Sequence, residues 1–179
     1  HGPRRLTVVW NETSLAWAEG EEDPAVTAAV ARIEADLGWR LPEGYCSEYV
    51  PYLEDWLRAI AEPLAAGALL FVDYGYPRRA YYHPERADGA LLCHYRHRAH
   101  ADPLILPGLQ DITASVDFTA VADAALAAGL EVAGYASQNH FLFGCGLMEL
   151  LAETDAAGSV HYLEQARQVK LLTLPGEMG

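Results

Sequence analysis

Residues Ala68–Pro77 read ALLFVDYGYP. Leu69, Leu70, Phe71 and Val72 form a continuous apolar run, which predicts a strand buried on both faces. Asp73, Tyr74 and Gly75 follow at once. A carboxylate and a phenol at the carboxyl end of a buried strand stand where open α/β sheets bind ligands. Upstream, Tyr52–Ala66 carries Leu53, Trp56, Leu57, Ile60 and Leu64 at helical spacing, and Gly67 ends it. Helix, glycine stop, buried strand and acidic turn make an α/β unit, and α/β is the fold class predicted.

The same pattern recurs downstream. Phe118–Ala128 reads as an Ala-rich helix stopped by Gly129, and Glu131–Tyr135 as the strand that follows. Gln138–Leu150 reads as a helix interrupted by Gly144 and Gly146. Val160–Val169 reads as helix and Val169–Leu174 as strand. At the other end, Arg5–Trp10 and Ser14–Ala18 flank Asn11-Glu12-Thr13 as a hairpin, with Glu19–Asp23 a solvated acidic loop. Ala25–Leu37 is amphipathic, with Val26, Val30, Ile33 and Leu37 on one face, Asp23 placed to cap it and Pro24 at its first position. Leu41–Gly44 is a turn. Between Tyr76 and Pro107 no period appears, and five of the chain's twelve Arg and Lys lie there with His83, His94, His97 and His100. A loop of that length is uncommon unless it carries function.

Composition narrows the function. The chain has 179 residues, room for one core-bearing domain. A net charge of −13 argues against general binding to nucleic acid or to an anionic membrane. No apolar run is long enough to span a bilayer. Cys46, Cys93 and Cys145 are odd in number and widely spaced, so neither a disulfide framework nor a CxxC metal pattern forms, and a reducing cytoplasm is the default. The abrupt ends, His1-Gly2-Pro3 and Gly176–Gly179, suggest a piece of a longer protein.

Seven segments, in order, carry a resemblance. They are LPEGYCSEYVP (Leu41–Pro51), LLFVDYGYP (Leu69–Pro77), YYHPER (Tyr81–Arg86), CHYRHRAH (Cys93–His100), PGLQDITASVDF (Pro107–Phe118), SQNHFLFGCGL (Ser137–Leu147) and LPGEMG (Leu174–Gly179). The chain resembles the C-terminal portion of the MidA family of S-adenosylmethionine-dependent methyltransferases, whose mitochondrial members are complex I assembly factors that methylate an arginine. The resemblance implies part of a class I, Rossmann-like sheet with family insertions. Residues 1–50 would be an insertion on the substrate side, and residues 51–179 the late helices and strands of a single domain. It places the Gly-rich cofactor loop before His1, so the isolated chain is expected to bind S-adenosylmethionine weakly or not at all. The reaction implied is in-line transfer of a methyl group from the sulfonium to an arginine nitrogen of a protein acceptor, in a bacterial cytoplasm. The alternative is a non-catalytic binding or assembly module. Unpaired strand edges would make the chain self-associate, a homodimer being one form of this.

Within these motifs each polar residue has a structural and a functional reading. Asp73 either caps its own turn or faces the transfer site. Glu48 is either a helix-end carboxylate or a guanidinium clamp. Arginine methylation needs carboxylates that hold the guanidinium; its pKa above 12 makes positioning count for more than a strong base. Glu48 and Asp73 are therefore the catalytic candidates. Tyr74, His97, Asp111, Asp117 and Gln138 are the substrate-binding candidates, although Asp117 also suits the N-cap of the Phe118 helix. His94, His97 and His100 at intervals of three would share a helical face, but the neighbouring Arg96 and Arg98 disfavour a cation, and no metal is expected.

Overall fold

A computed structural model describes residues 2–153 and 159–174. The LPGEMG segment therefore lies, after Leu174, outside the described residues. The chain falls into two compact units: His1–Leu69 with Asp73–Leu130, and Leu70–Val72 with Glu131–Gly179.

The first unit opens with a hairpin of β1 (Arg4–Trp10) and β2 (Leu15–Glu22), paired antiparallel. The strands run longer than predicted, because residues 19–22, read as loop, continue the ladder. Arg4 and Arg5 answer their charge, with Arg4 3.5 Å from Glu19 and Arg5 2.7 Å from Asp23. Helix α1 (Pro24–Leu37) starts as predicted: Asp23 Oδ1 accepts from the Ala25 amide at 2.8 Å and Pro24 occupies the first turn. Gly38 ends it in the left-handed region, φ +79°, where a side chain would be strained. Helix α2 (Leu53–Ala61) is shorter than the predicted 52–66, and its Leu57 is fully buried. Residues 62–74 then contain no helix or strand.

The run at residues 69–72, predicted as a buried strand, is a correction. It forms no ladder, and Leu70, Phe71 and Val72 are exposed. Apolar continuity encodes a demand for burial, whereas a ladder also needs a neighbouring strand in register, and no sheet among the described residues includes this run. The short strand β3 begins only at the turn (Gly75–Tyr76) and leads through Pro77 into the single-turn helix α3 (Arg78–Tyr81). One turn of 3-10 helix (Pro84–Arg86) follows.

The segment without a period contains a second sheet. β4 (Leu92–Tyr95) pairs with β5 (Arg98–His100) and, on its other edge, with β6 (Asp111–Thr113), all antiparallel. Arg96 and His97 form the β4–β5 turn with φ +49° and +62°, the double left-handed pattern of a tight hairpin. The three histidines are thus on a hairpin, not on one helical face. β7 (Val116–Asp117) pairs in parallel with β3, and Asp117 caps α4 (Phe118–Ala127) as expected. Ile33 and Leu37 of α1 pack with Tyr81 and Tyr82, bordered by Trp39, Leu41, Tyr45 and Tyr76; α2 packs on α4.

In the second unit, residues 131–137 lie outside any helix or ladder, so the strand predicted at 131–135 is not formed as a ladder. Three helices follow: α5 (Gln138–Gly144), α6 (Leu147–Glu153) and α7 (Val160–Thr173). The break at Gly144–Gly146 is where the glycines predict it. The strand predicted at 169–174 is instead the end of α7, which Ser159 caps through the Tyr162 amide at 3.1 Å. No helix among the described residues is long and apolar enough to cross a membrane.

Candidate functional site

The local chemistry of the first unit gathers around the Asp73–Gly75 turn and the Glu48 loop. Asp73 is exposed, and its Oδ1 accepts from the Tyr74 amide at 2.7 Å. Tyr74 is exposed beside it. The turn is fastened on its C-terminal side, where the Val116 amide donates to the Tyr74 carbonyl at 2.9 Å and β3 lies on β7. Gly75 is required here by close approach, because a Cβ would stand 2.2 Å from the Val116 carbonyl oxygen.

Glu48 is engaged differently. Its Oε2 accepts from the Ala90 amide at 2.8 Å and its Oε1 from the Leu91 amide at 3.2 Å. Gly89 sits beneath it at φ +85°, where a Cβ would lie 2.5 Å from Oε1. The carboxylate thus clamps the 88–91 loop, and the Cys46 amide donates to the Ala87 carbonyl at 2.7 Å alongside. This negative charge has consequences nearby. Burial first, and the Glu48 charge second, push the Tyr81 phenol up to about 12. Burial, then Glu48 and Asp88, raise the Cys46 thiol above its ordinary value, which makes it a poor nucleophile at neutral pH.

The densest set of charges is one that sequence reasoning missed. Arg78 is 9% exposed and is met by three carboxylates. Its Nη1 contacts Asp36 of α1, its Nε donates to Asp117 Oδ2 at 3.2 Å, and its Nη2 lies 2.9 Å from Asp123 Oδ2 of α4. Burial opposes the Arg78 charge, but Asp117 and Asp123 outweigh it, and its pKa stands above the ordinary value. Asp117 is shared, because its Oδ1 also accepts from the Thr119 and Ala120 amides at 3.0 and 3.1 Å. The partners come from positions 36, 117 and 123, so no local spacing could reveal them.

The remaining candidates are dispersed. Asp111 is exposed on β6 opposite His94, and His97 is at the hairpin tip. Gln138 belongs to the second unit, where its Nε2 donates to the Leu172 carbonyl at 2.9 Å and ties α5 to α7. Of the predicted site residues, the structure brings Asp73, Tyr74 and Asp117 to one β3–β7 junction. Among the described residues, no group of three His, Cys, Asp or Glu side chains is arranged to hold a metal ion.

These features acquire a context from related proteins. A model of the family described as "putative S-adenosyl-L-methionine-dependent methyltransferase" matches residues 1–136. The chain belongs to this methyltransferase family. A crystal structure described as a "likely methyl transferase" from Burkholderia thailandensis, bound to S-adenosyl-homocysteine, is similar with a TM-score of 0.85 at 39% identity. The match covers 97% of this chain and 44% of that one. A native crystal structure of an uncharacterized protein of the same superfamily and organism has a TM-score of 0.88 at 40% identity, covering 99% of this chain and 46% of that one. The chain therefore spans less than half the length of these two relatives. No curated protein matches it.

The family's cofactor is S-adenosylmethionine, and the described residues do not by themselves form a site for it. They include no glycine-rich turn between a paired strand and a helix, the feature that lets backbone approach such a ligand. Two clefts stand out. One, about 310 Å³, is bordered by Arg5, Glu21, Glu22 and Asp23 at the hairpin base. The other, about 200 Å³, lies between α6 and α7. Both stand at or below the small end of the usual ligand range, about 300–1,000 Å³, and both are open.

Proposed function

We propose that this chain is the acceptor-side portion of an S-adenosylmethionine-dependent methyltransferase that acts on an arginine of a protein, as in the MidA family it resembles. The observation that carries the reading is the family match over residues 1–136, joined to 39% identity with a relative that binds S-adenosyl-homocysteine. The acceptor class rests on the resemblance and on the chemistry of the turn.

Asp73 is the carboxylate we assign to the guanidinium. It is exposed and holds one short amide contact, so its second oxygen remains free for a cationic ligand. Tyr74 beside it offers an aromatic face and a hydroxyl. Glu48 is the weaker candidate, since both its oxygens already serve the 90–91 amides. Asp117 is likewise committed to Arg78 and to the α4 cap. Asp111, His97 and Gln138 are proposed to border the acceptor and not to react.

The test is transfer of labelled methyl from S-adenosylmethionine to arginine-containing peptides by the whole protein, with the product identified by mass spectrometry. Methylarginine is the expected product. Label on lysine or on a carboxylate would remove the arginine assignment, and no transfer to any peptide or protein would remove the enzyme. Calorimetry of the 179-residue chain alone should show little cofactor binding; micromolar affinity would overturn the division of the site.

A further inference from the structure

We propose that Arg78 is a positioning residue, which holds the Asp73–Tyr74 turn in register on β7 and so presents it to the methyl acceptor. The inference rests on the role given to that turn above.

The path is short and continuous. Tyr74 accepts from the Val116 amide, Gly75 and Tyr76 pair with Val116 and Asp117, and Pro77 carries the chain into Arg78. The Arg78 amide donates to Thr119 Oγ1 at 2.9 Å, and the guanidinium reaches Asp117 and Asp123 beyond it. Tyr74, Gly75, Tyr76 and Arg78 are thus all fastened to residues 116–123. Arg78 is the charged anchor at the end of this run. β3 is two residues long, too short to fix a register by backbone bonds alone.

The geometry also says why arginine is used. Three carboxylates approach three different nitrogens, from α1, from the β7–α4 junction and from within α4. A planar fork can satisfy all three at once; an ammonium is a point donor on a flexible stem. A residue present only to neutralise acid would be replaceable by lysine. A residue that sets position would not be.

The experiment compares wild type, Arg78→Lys and the milder Asp36→Asn in the whole protein, by amide hydrogen exchange and by methyl transfer, well below each melting temperature. The Val116 amide should exchange at least about tenfold faster in Arg78→Lys, while amides of the β1–β2 ladder are unchanged. Turnover should fall about tenfold while KM for S-adenosylmethionine stays constant. Asp36→Asn should move both in the same direction by less. Val116 exchange that rises only in step with the hairpin amides would overturn the proposal. So would full rescue by lysine, or a loosened turn with unchanged turnover. A wild type that transfers no methyl group would sink the function proposed above, and the exchange arm would still decide whether Arg78 holds the turn.

Discussion

At the residue scale, the contrast between Asp73 and Glu48 is one of commitment. Both are carboxylates in family-like motifs, and sequence favoured Asp73 only through its place after the apolar run at 69–72. Glu48 is spent on two loop amides above a glycine that tolerates no Cβ. Asp73 holds one adjacent amide and is otherwise exposed. Asp73→Asn keeps an oxygen for the Tyr74 amide, so the turn should survive and the melting temperature should hardly move. The lost charge should lower methyl transfer by roughly ten- to a hundredfold, the worth of one charge-assisted contact of about 1.5–3 kcal/mol. Steady-state turnover beside a melting curve checks both halves. Unchanged turnover would leave Asp73 as a turn cap. The Arg78 cluster shows why residue-level reading stops short. Arg78, one of an arginine pair after a turn proline in an acidic chain, is a weak signal, and three aspartates spread over 88 positions, from Asp36 to Asp123, are none.

At the element scale, the helices with chemical punctuation were legible. Asp23-Pro24 and Gly38 bound α1, Asp117 and Gly129 bound α4, and Gly144 and Gly146 divide α5 from α6. Elements whose identity depends on partners were not. Residues 69–72 and 131–135 have strand composition but no ladder, and Val169, Leu171 and Leu172 have it inside α7. The β4–β5–β6 sheet was hidden because its strands are three or four residues long, too short to show alternation. Helix α3 yields a prediction of its own. It places Tyr81 and, next to it, Tyr82 in the core, ring centroids 4.8 Å apart, with both phenols raised chiefly by burial. In the unfolded chain a tyrosine loses its proton near pH 10.0; folded, Tyr81 keeps it to about 12. Between those values the native state binds more protons than the unfolded state, so stability falls as pH rises. Denaturant midpoints should be flat from pH 8 to 9.5 and decline steadily toward 12. Tyr81→Phe should flatten part of the decline, and an identical decline in that variant would show that the dependence arises elsewhere.

At the scale of the whole molecule, two tendencies oppose each other. The chain carries a net charge of −13, which keeps copies apart. It also exposes apolar side chains on backbone that wants partners. Leu70 and Val72 are 66% and 67% exposed on a segment outside any ladder. In the hairpin, Val8 lies directly across from Trp17, and both are exposed, as is Trp10 at the strand end. A two-stranded ribbon has free edges on both sides, and exposed apolar side chains offer surface for association. Charge repulsion between separate molecules is screened within about 8 Å at physiological ionic strength, whereas apolar burial is not weakened by salt. The isolated 179-residue chain should therefore self-associate, and do so more as salt rises. Light scattering from 20 mM to 500 mM sodium chloride should show the mean mass climbing above one chain, steepest at high protein concentration. Replacing Leu70 and Val72 together with Lys should lower the mass at every salt concentration. If the hairpin alone were responsible, that double variant would behave as wild type and Trp10→Lys would dissociate it. A single-chain mass throughout, with one cooperative melting transition, would mean that these apolar segments are covered within the molecule, and the self-association expected of them would have to be given up.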